Sequence, residues 1–491
     1  MKLHFTATTR LRSALNHVLF LSIASLSAAH GARAADGYFD TTFGTGGVLL
    51  VDVSADAKDA GQAMQVLPDG RLFLAGTCYR PEPPGIGVFP AFCATRLHPD
   101  GSYDSSFGPG GVGYVRFDQF NASDLPNNTA LYDAIRLRDG RMLFVGRPTG
   151  SGIILAALKA DGTALDPNVG GGGAQGYVQF GSDPPSAGTP FDAHGIPSRL
   201  IEQSDGKILV SGSDDGPTGN ADFSIMRVLP DLSGVDSSFG TNGRQTVTFD
   251  LGGPSGINAD VPAAMALQTD GKILLAGYAQ LSATTLDISI ARLLPNGQAD
   301  TSFGPNHDGR VHLAPASVSA LTSVLLDRQK RIVIGGISAD PGNTYAEWYV
   351  DRLLSDGSQD PAFNGGSSQR FLIRTGVTSG SQSVKALTLQ PDGKILAVGS
   401  VSQGAADTLR FYWGVARLLD DGMLDPSFGI GGRSYASFGS SPYTDETSGI
   451  AVADGGIVIA GNEQVGTSSG DMLFGVAKFQ LDAIFVDGFE P

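Results

Sequence analysis

The string LQPDGKILAVGS at 389–400 returns in altered form as VLPDGRLFLAGT at 66–77, EQSDGKILVSGS at 202–213 and LQTDGKILLAGY at 267–278. A chain that repeats one short pattern at intervals of about sixty residues is built from copies of one supersecondary unit, and stacking must bury what each copy leaves exposed. Asp-Gly turns between apolar runs stand at Asp69, Asp139, Asp205, Asp270, Asp392 and Asp454, and a degenerate copy carries Gln329-Lys330. A second motif, D-x-x-F-G, alternates with the first at 40–44, 104–108, 236–240, 300–304 and 425–429. Weaker copies of it occur at 166–170 (DPNVG) and 360–364 (DPAFN).

Each unit resolves into four short strands. In the sixth these are VKALTL (384–389), KILAVGS (394–400), FYWGVARLL (411–419) and RSYASF (433–438). We denote them a to d. Asp-Gly between apolar runs is a strong hairpin signal, because glycine takes positive φ at little cost and Asp can accept from a turn amide. Seven such units predict an all-β, seven-bladed β-propeller of four-stranded antiparallel blades. A solenoid fits poorly, since a repeat of about sixty residues is long for one coil. The phenylalanines Phe43, Phe107, Phe239, Phe303, Phe363 and Phe428 are expected to plug the gaps between blades. Val169 in the second unit predicts a looser contact there. The chain begins with a d strand (48–53) and ends on a c strand (472–479), so residues 48–53 are expected to complete the sheet of 449–479 and close the ring.

The pattern LQPDGKILAVG … ARLLDDGMLDPSFG resembles the delta-60 repeat family of bacterial surface and secreted proteins, over essentially all of residues 37–481. The resemblance implies propeller architecture and brings no reaction or catalytic residues. The ending IFVDGFEP (484–491) is similar to a short tail of some secreted proteobacterial proteins.

Residues 1–34 read as a secretory signal peptide: Lys2, Arg10 and Arg12 precede an apolar run, and Ala32-Arg33-Ala34 offers a cleavage site. The propeller then spans 35–481 and a short tail 482–491. Loss of the signal takes four Lys/Arg and no acid, moving the net charge from −16 to −20. Such a chain repels phosphate backbones, so nucleic acid is not an expected partner. No second segment is apolar enough to span a membrane, and a monomer that is secreted, periplasmic or at the cell surface is expected. In an oxidising compartment Cys78 and Cys93, the only cysteines, are expected to join strands b and c of the first blade.

Strand c carries one basic residue per unit: Arg96, Lys159, Arg227, Arg292, Arg352, Arg417 and Lys478. Most precede the Asp of D-x-x-F-G by about eight residues, which suggests a repeated structural pair rather than a binding groove. No zinc, nucleophile-elbow or phosphate-loop motif appears, and HPDGSYD (98–104) lacks the spacing of a calcium loop. No cofactor is expected; calcium stays open without a motif. The a–b and c–d turns repeat closely, whereas the b–c and d–a connections vary, so one face of the disc is uniform and the other irregular. The irregular face is where binding is expected. Its candidate residues are Asp118, Asp124, Asp192, His194, Asp214, Asp215, Asp260, Tyr345 and Asp445. Tyr79, Phe89, Asn121, Asp250, Tyr443 and Glu446 accompany them. The leading expectation is a binding module for a protein, glycan or cation. The alternatives are a propeller enzyme with its site at the axial mouth, which strand a segments such as AMQVL, AMALQ and KALTL do little to support, and a purely structural envelope or matrix protein.

Overall fold

The computed structural model describes residues 37–53, 58–81, 88–120, 129–148, 152–170, 176–181, 196–214, 221–251, 259–282, 285–313, 318–339, 345–373, 380–403, 410–436, 446–453, 455–464 and 472–481. Both end segments inferred from the sequence, 1–34 and 482–491, lie outside them. The apolar runs between Asp-Gly and D-x-x-F-G turns form seven four-stranded antiparallel sheets. Blade 1, for example, consists of Asp59–Val66, Leu72–Pro81, Val88–Leu97 and Tyr114–Arg116. Strands a of blades 2 to 7 are Thr129–Arg136, Ile196–Glu202, Asp260–Leu267, Val318–Leu326, Gly380–Leu389 and Glu446–Ala453. Each strand a touches that of the next blade, and the last touches the first, so the seven form a closed ring about an axis. Among the described residues the only helical turns are two short 3-10 turns, Pro109–Gly111 and Phe117–Gln119.

The closure expected from the chain ends is present. Val48–Val51 pairs antiparallel with Met472–Gln480, from Val48 opposite Ala477 to Val51 opposite Phe474. The N-terminal strand is thus the outermost strand of blade 7, and Lys478 Nζ meets Asp40 Oδ2 at 3.3 Å. The core is divided rather than single. Seven buried apolar clusters each lie between two neighbouring blades. A thin sheet exposes two apolar faces, and the next blade covers each one.

Two repeated residues have plain geometric reasons. All seven strands a carry a β-bulge at the same point, for example between Gly61 and Ala63 and between Val384 and Ala386. The bulge drives the strand a carbonyl toward strand b. A Cβ at Gly76 or Gly399 would collide with the carbonyl of Ala60 or Ser383, which accounts for the glycine in KILAVG. In the a–b turn the last residue is left-handed, as at Gly70 with φ 79°. Lys330 takes the same conformation, φ 61°, where its copy lacks the glycine.

The expected plug residues are buried, and each meets a glycine of the next blade. A Cβ at Gly162 would lie 2.5 Å from Phe107, one at Gly357 2.7 Å from Phe303, and one at Gly37 3.0 Å from Phe428. Blade 2 corrects the expectation of a looser contact. Val169 is buried there, and the facing turn of blade 3 carries Leu232 in place of glycine, at φ 56° and 0% exposed. The two share one buried cluster, so a larger partner fills what the smaller plug leaves.

Candidate functional site

The uniform face is built by one latch. In five blades a strand c arginine donates through Nε to the Asp of D-x-x-F-G, at 2.6 Å for Arg96–Asp104, 2.9 Å for Arg227–Asp236, and 2.7 Å for Arg292–Asp300. Arg352–Asp360 and Arg417–Asp425 repeat it at 2.7 and 2.9 Å. Each guanidinium lies 4.5–5.0 Å from the centre of the plug ring. Four of these guanidinium groups also donate to a carbonyl of the following blade, at Ala160, Pro295, Ser355 and Asp420. The basic residue after the Asp-Gly turn, unremarked in the sequence, supplies a second cation to the same carboxylate, as Lys272 does to Asp300 at 2.8 Å. Burial alone would raise these carboxyls. Hydrogen bonds from Ser and the two cations outweigh it, holding Asp104, Asp236 and Asp300 far below the usual range and Asp425 at about 2.

Lys159 departs from the pattern. It is exposed, and Asp166 is met by Arg141 at 3.4 Å instead. Without a ring at position 169 there is no face for a guanidinium to cover. These basic residues therefore serve the blades and form no groove.

The irregular end differs. Asp214 and Asp222 are cross-strand partners at the loop end of the hairpin Ile208–Asp214/Asp222–Val228. The Asp260 amide donates to Ala221 at 2.6 Å, which brings strand a of blade 4 against that hairpin. Asp260 is 0% exposed, and its Oδ2 accepts from the Phe249 amide at 2.6 Å, next to Asp250 at φ 43°. The same device ties down other d–a links, where Asp59 accepts from Val53 at 2.7 Å and Gln382 from Ile373 at 2.8 Å. What is particular to the junction of blades 3 and 4 is the company. Asp222 Oδ1 and Asp260 Oδ1 are buried without a hydrogen-bond partner. Burial, then repulsion from Asp260, Asp250 and Asp214, pushes the Asp222 carboxyl up to about 7. Burial and Asp250 push Asp260 up to about 6, against the pull of the Phe249 amide and Arg310. A buried pair of this kind seeks a cation. Among the described residues no group of three or more His, Cys, Asp or Glu side chains is arranged to hold a metal ion.

The other candidate residues scatter. Asp118 is held by Arg116, 2.6 Å from Nη2. Tyr345 opens strand c of blade 5 and pairs in parallel with Gly380 of blade 6. Tyr79 is half-buried at the end of strand b, and Phe89 and Glu446 lie in strands. Asp124, Asp192, His194, Asp215 and Asp445 lie outside the described residues, with Asn121 and Tyr443. Cys78 and Cys93 form the expected disulfide between strands b and c of blade 1. Asp222 was missed in the sequence. Its signal was an acid facing Asp214 across a hairpin whose loop length hides the register.

The strand pairing thus defines the chain as a seven-bladed β-propeller with a latched uniform face and an acidic cluster at the other end of the strands. Residues 203–239, 268–303, 330–363 and 390–428 match the family described as a domain of unknown function (DUF5122) beta-propeller. No curated protein matches the chain. Among solved structures it is similar to PorZ, a surface component of the type-IX secretion system of Porphyromonas gingivalis, at 12% identity and TM-score 0.42, covering 88% of this chain and 48% of that one. The chain therefore spans about half the length of that PorZ chain. It is also similar to an α-L-arabinanase of Penicillium chrysogenum, at 15% identity and TM-score 0.41, covering 75% and 97% of the two chains. Likenesses this distant carry no functional argument. No helix among the described residues is long and apolar enough to cross a membrane.

Proposed function

We propose that this is an exported propeller of the delta-60 type that acts as a binding module, with the acidic cluster at the junction of blades 3 and 4 as its contact for a cationic group of a partner. The observation that supports it is the buried, unpartnered oxygens of Asp222 and Asp260 beside two further carboxylates. A lysine or arginine side chain supplies the missing donors and neutralises the repulsion, so its binding releases protons near pH 6–7.

Calorimetric titration with tetralysine tests this. Affinity is expected to rise from pH 5 to pH 8 as the cluster ionises, and to fall in Asp222→Asn and further in Asp222→Asn/Asp250→Asn. Binding that ignores both pH and these substitutions would sink the assignment. Export is tested by N-terminal sequencing of the protein collected outside the cytoplasm, with a start at Ala35 expected.

A further inference from the structure

The axial channel carries a second kind of chemistry. Strand a is the innermost strand of each blade, so its inner edge has no strand partner. Side chains of a neighbouring blade satisfy it instead. Thr77 Oγ1 accepts from the Leu131 amide at 2.9 Å, and Asp133 Oδ2 from Leu200 at 2.8 Å. Thr322 Oγ1 donates to the Val384 carbonyl at 2.6 Å, and Ser323 Oγ accepts from Leu387 at 3.1 Å. These polar groups are therefore used up in holding the ring.

Two cations also face the channel. Lys385 and Arg199 sit at the bulges of blades 6 and 3 and line a waist cavity of about 200 Å³ on the axis. Arg199 Nη1 donates to the Ser198 carbonyl at 2.8 Å, and Lys385 has no ion-pair partner among the described residues. Asp133 is the one described carboxylate in the waist, and amides of Ala134 and Leu200 occupy its two oxygens. Burial pushes its carboxyl up, against the pull of the nearby Arg199 charge. The waist is thus net positive inside a chain of net charge −16.

Toward the uniform face the channel changes character. It opens into a mouth of about 680 Å³ where the apolar side chains Met64, Val66, Leu389, Ile450 and Val452 alternate with Gln65, Arg136 and Thr388. Met64, Gln65 and Ile450 border both spaces, so waist and mouth are continuous. From Ala63 to Val66 the wall descends about 10 Å, the reach of an alkyl chain of about eight carbons.

We infer that the channel is a binding site for a medium-chain carboxylate, its head group at Lys385 and Arg199 and its alkyl chain along Met64, Val66, Ile450 and Val452 of the mouth. The pairing follows from charge and polarity: a charge-assisted contact is strongest where water is scarce, and the apolar wall gains only from a ligand that covers it.

Titration of the full chain with octanoate, octan-1-ol, octylamine and inorganic phosphate tests the inference. Octanoate is expected to bind and raise the melting temperature, with the other three at least about tenfold weaker. Lys385→Met/Arg199→Met, checked by circular dichroism for an intact ring, is expected to lose octanoate binding. Ile450→Asp is expected to lose it by spoiling the wall while leaving the cations. No octanoate binding, equal binding of octanol or phosphate, or octanoate binding that survives Lys385→Met/Arg199→Met would overturn the site.

Discussion

At the scale of single residues, the chain keeps a compensation that the repeat alone would hide. Where the plug is phenylalanine the facing turn holds glycine, and where it is Val169 the turn holds Leu232. Val169→Phe alone overfills this gap and is expected to cost about 1–3 kcal/mol. Leu232→Gly alone empties it, at about 2–5 kcal/mol. The double substitution rebuilds the pairing of the other blades, so urea titration should show it well short of the sum of the two losses. Additive losses would show that the two side chains do not share the gap. The acidic cluster gives a prediction of opposite sign to that of a paired carboxylate. Asp222 has a raised folded-state pKa, so the folded chain binds more protons than the unfolded one between about pH 4 and 7, and stability falls as pH rises through that window. Asp222→Asn is expected to flatten this fall, measured as melting temperature at pH 5 and pH 8. The plug residues were legible in the sequence because their spacing repeats. Leu232 was not, since its meaning appears only beside Val169, which belongs to a different blade.

At the scale of elements, the latch and the bulge set the blade. The latch aspartates have depressed pKa values in the folded state. Their stabilisation is present above the unfolded value near 4 and is lost as pH falls toward about 2, the value at which Asp425 is held. Melting temperature is therefore expected to drop steeply below pH 4. Arg292→Met removes the partner of a buried Asp300 and is expected to destabilise by about 3–5 kcal/mol in urea, leaving Lys272 as its remaining cation. A change within about 0.5 kcal/mol would place the latch among surface pairs of no consequence. The arginine–aspartate spacing announced this pair, but it did not reveal that the lysine after Asp-Gly shares it, because the two lie on different strands. The channel lining was harder still. Side chains alternate along a strand, and the bulge shifts that alternation by one. Asp133, Arg199 and Lys385 are therefore placed by a kink that the apolar pattern does not display.

At the scale of the whole molecule, ring and closure could be read from the order of strands, whereas the acidic cluster could not, since it assembles acids from two blades. The disulfide closes a short loop in blade 1, and its reduction is expected to cost about 3 kcal/mol in the chain-entropy model, read from urea melts with and without reductant. The clasp of blade 7 matters more for how the protein comes into being. Val48 and Ala477 stand near opposite ends of the sequence, and synthesis delivers the first long before the second. Until then the early strand has only water to bond, and the edge of Met472–Gln480 it will cover does not yet exist. Pairing across so long a stretch of chain is a non-local contact, so ring closure is expected to be slow, and refolding kinetics followed by Trp fluorescence should show a phase that Leu50→Pro slows or abolishes.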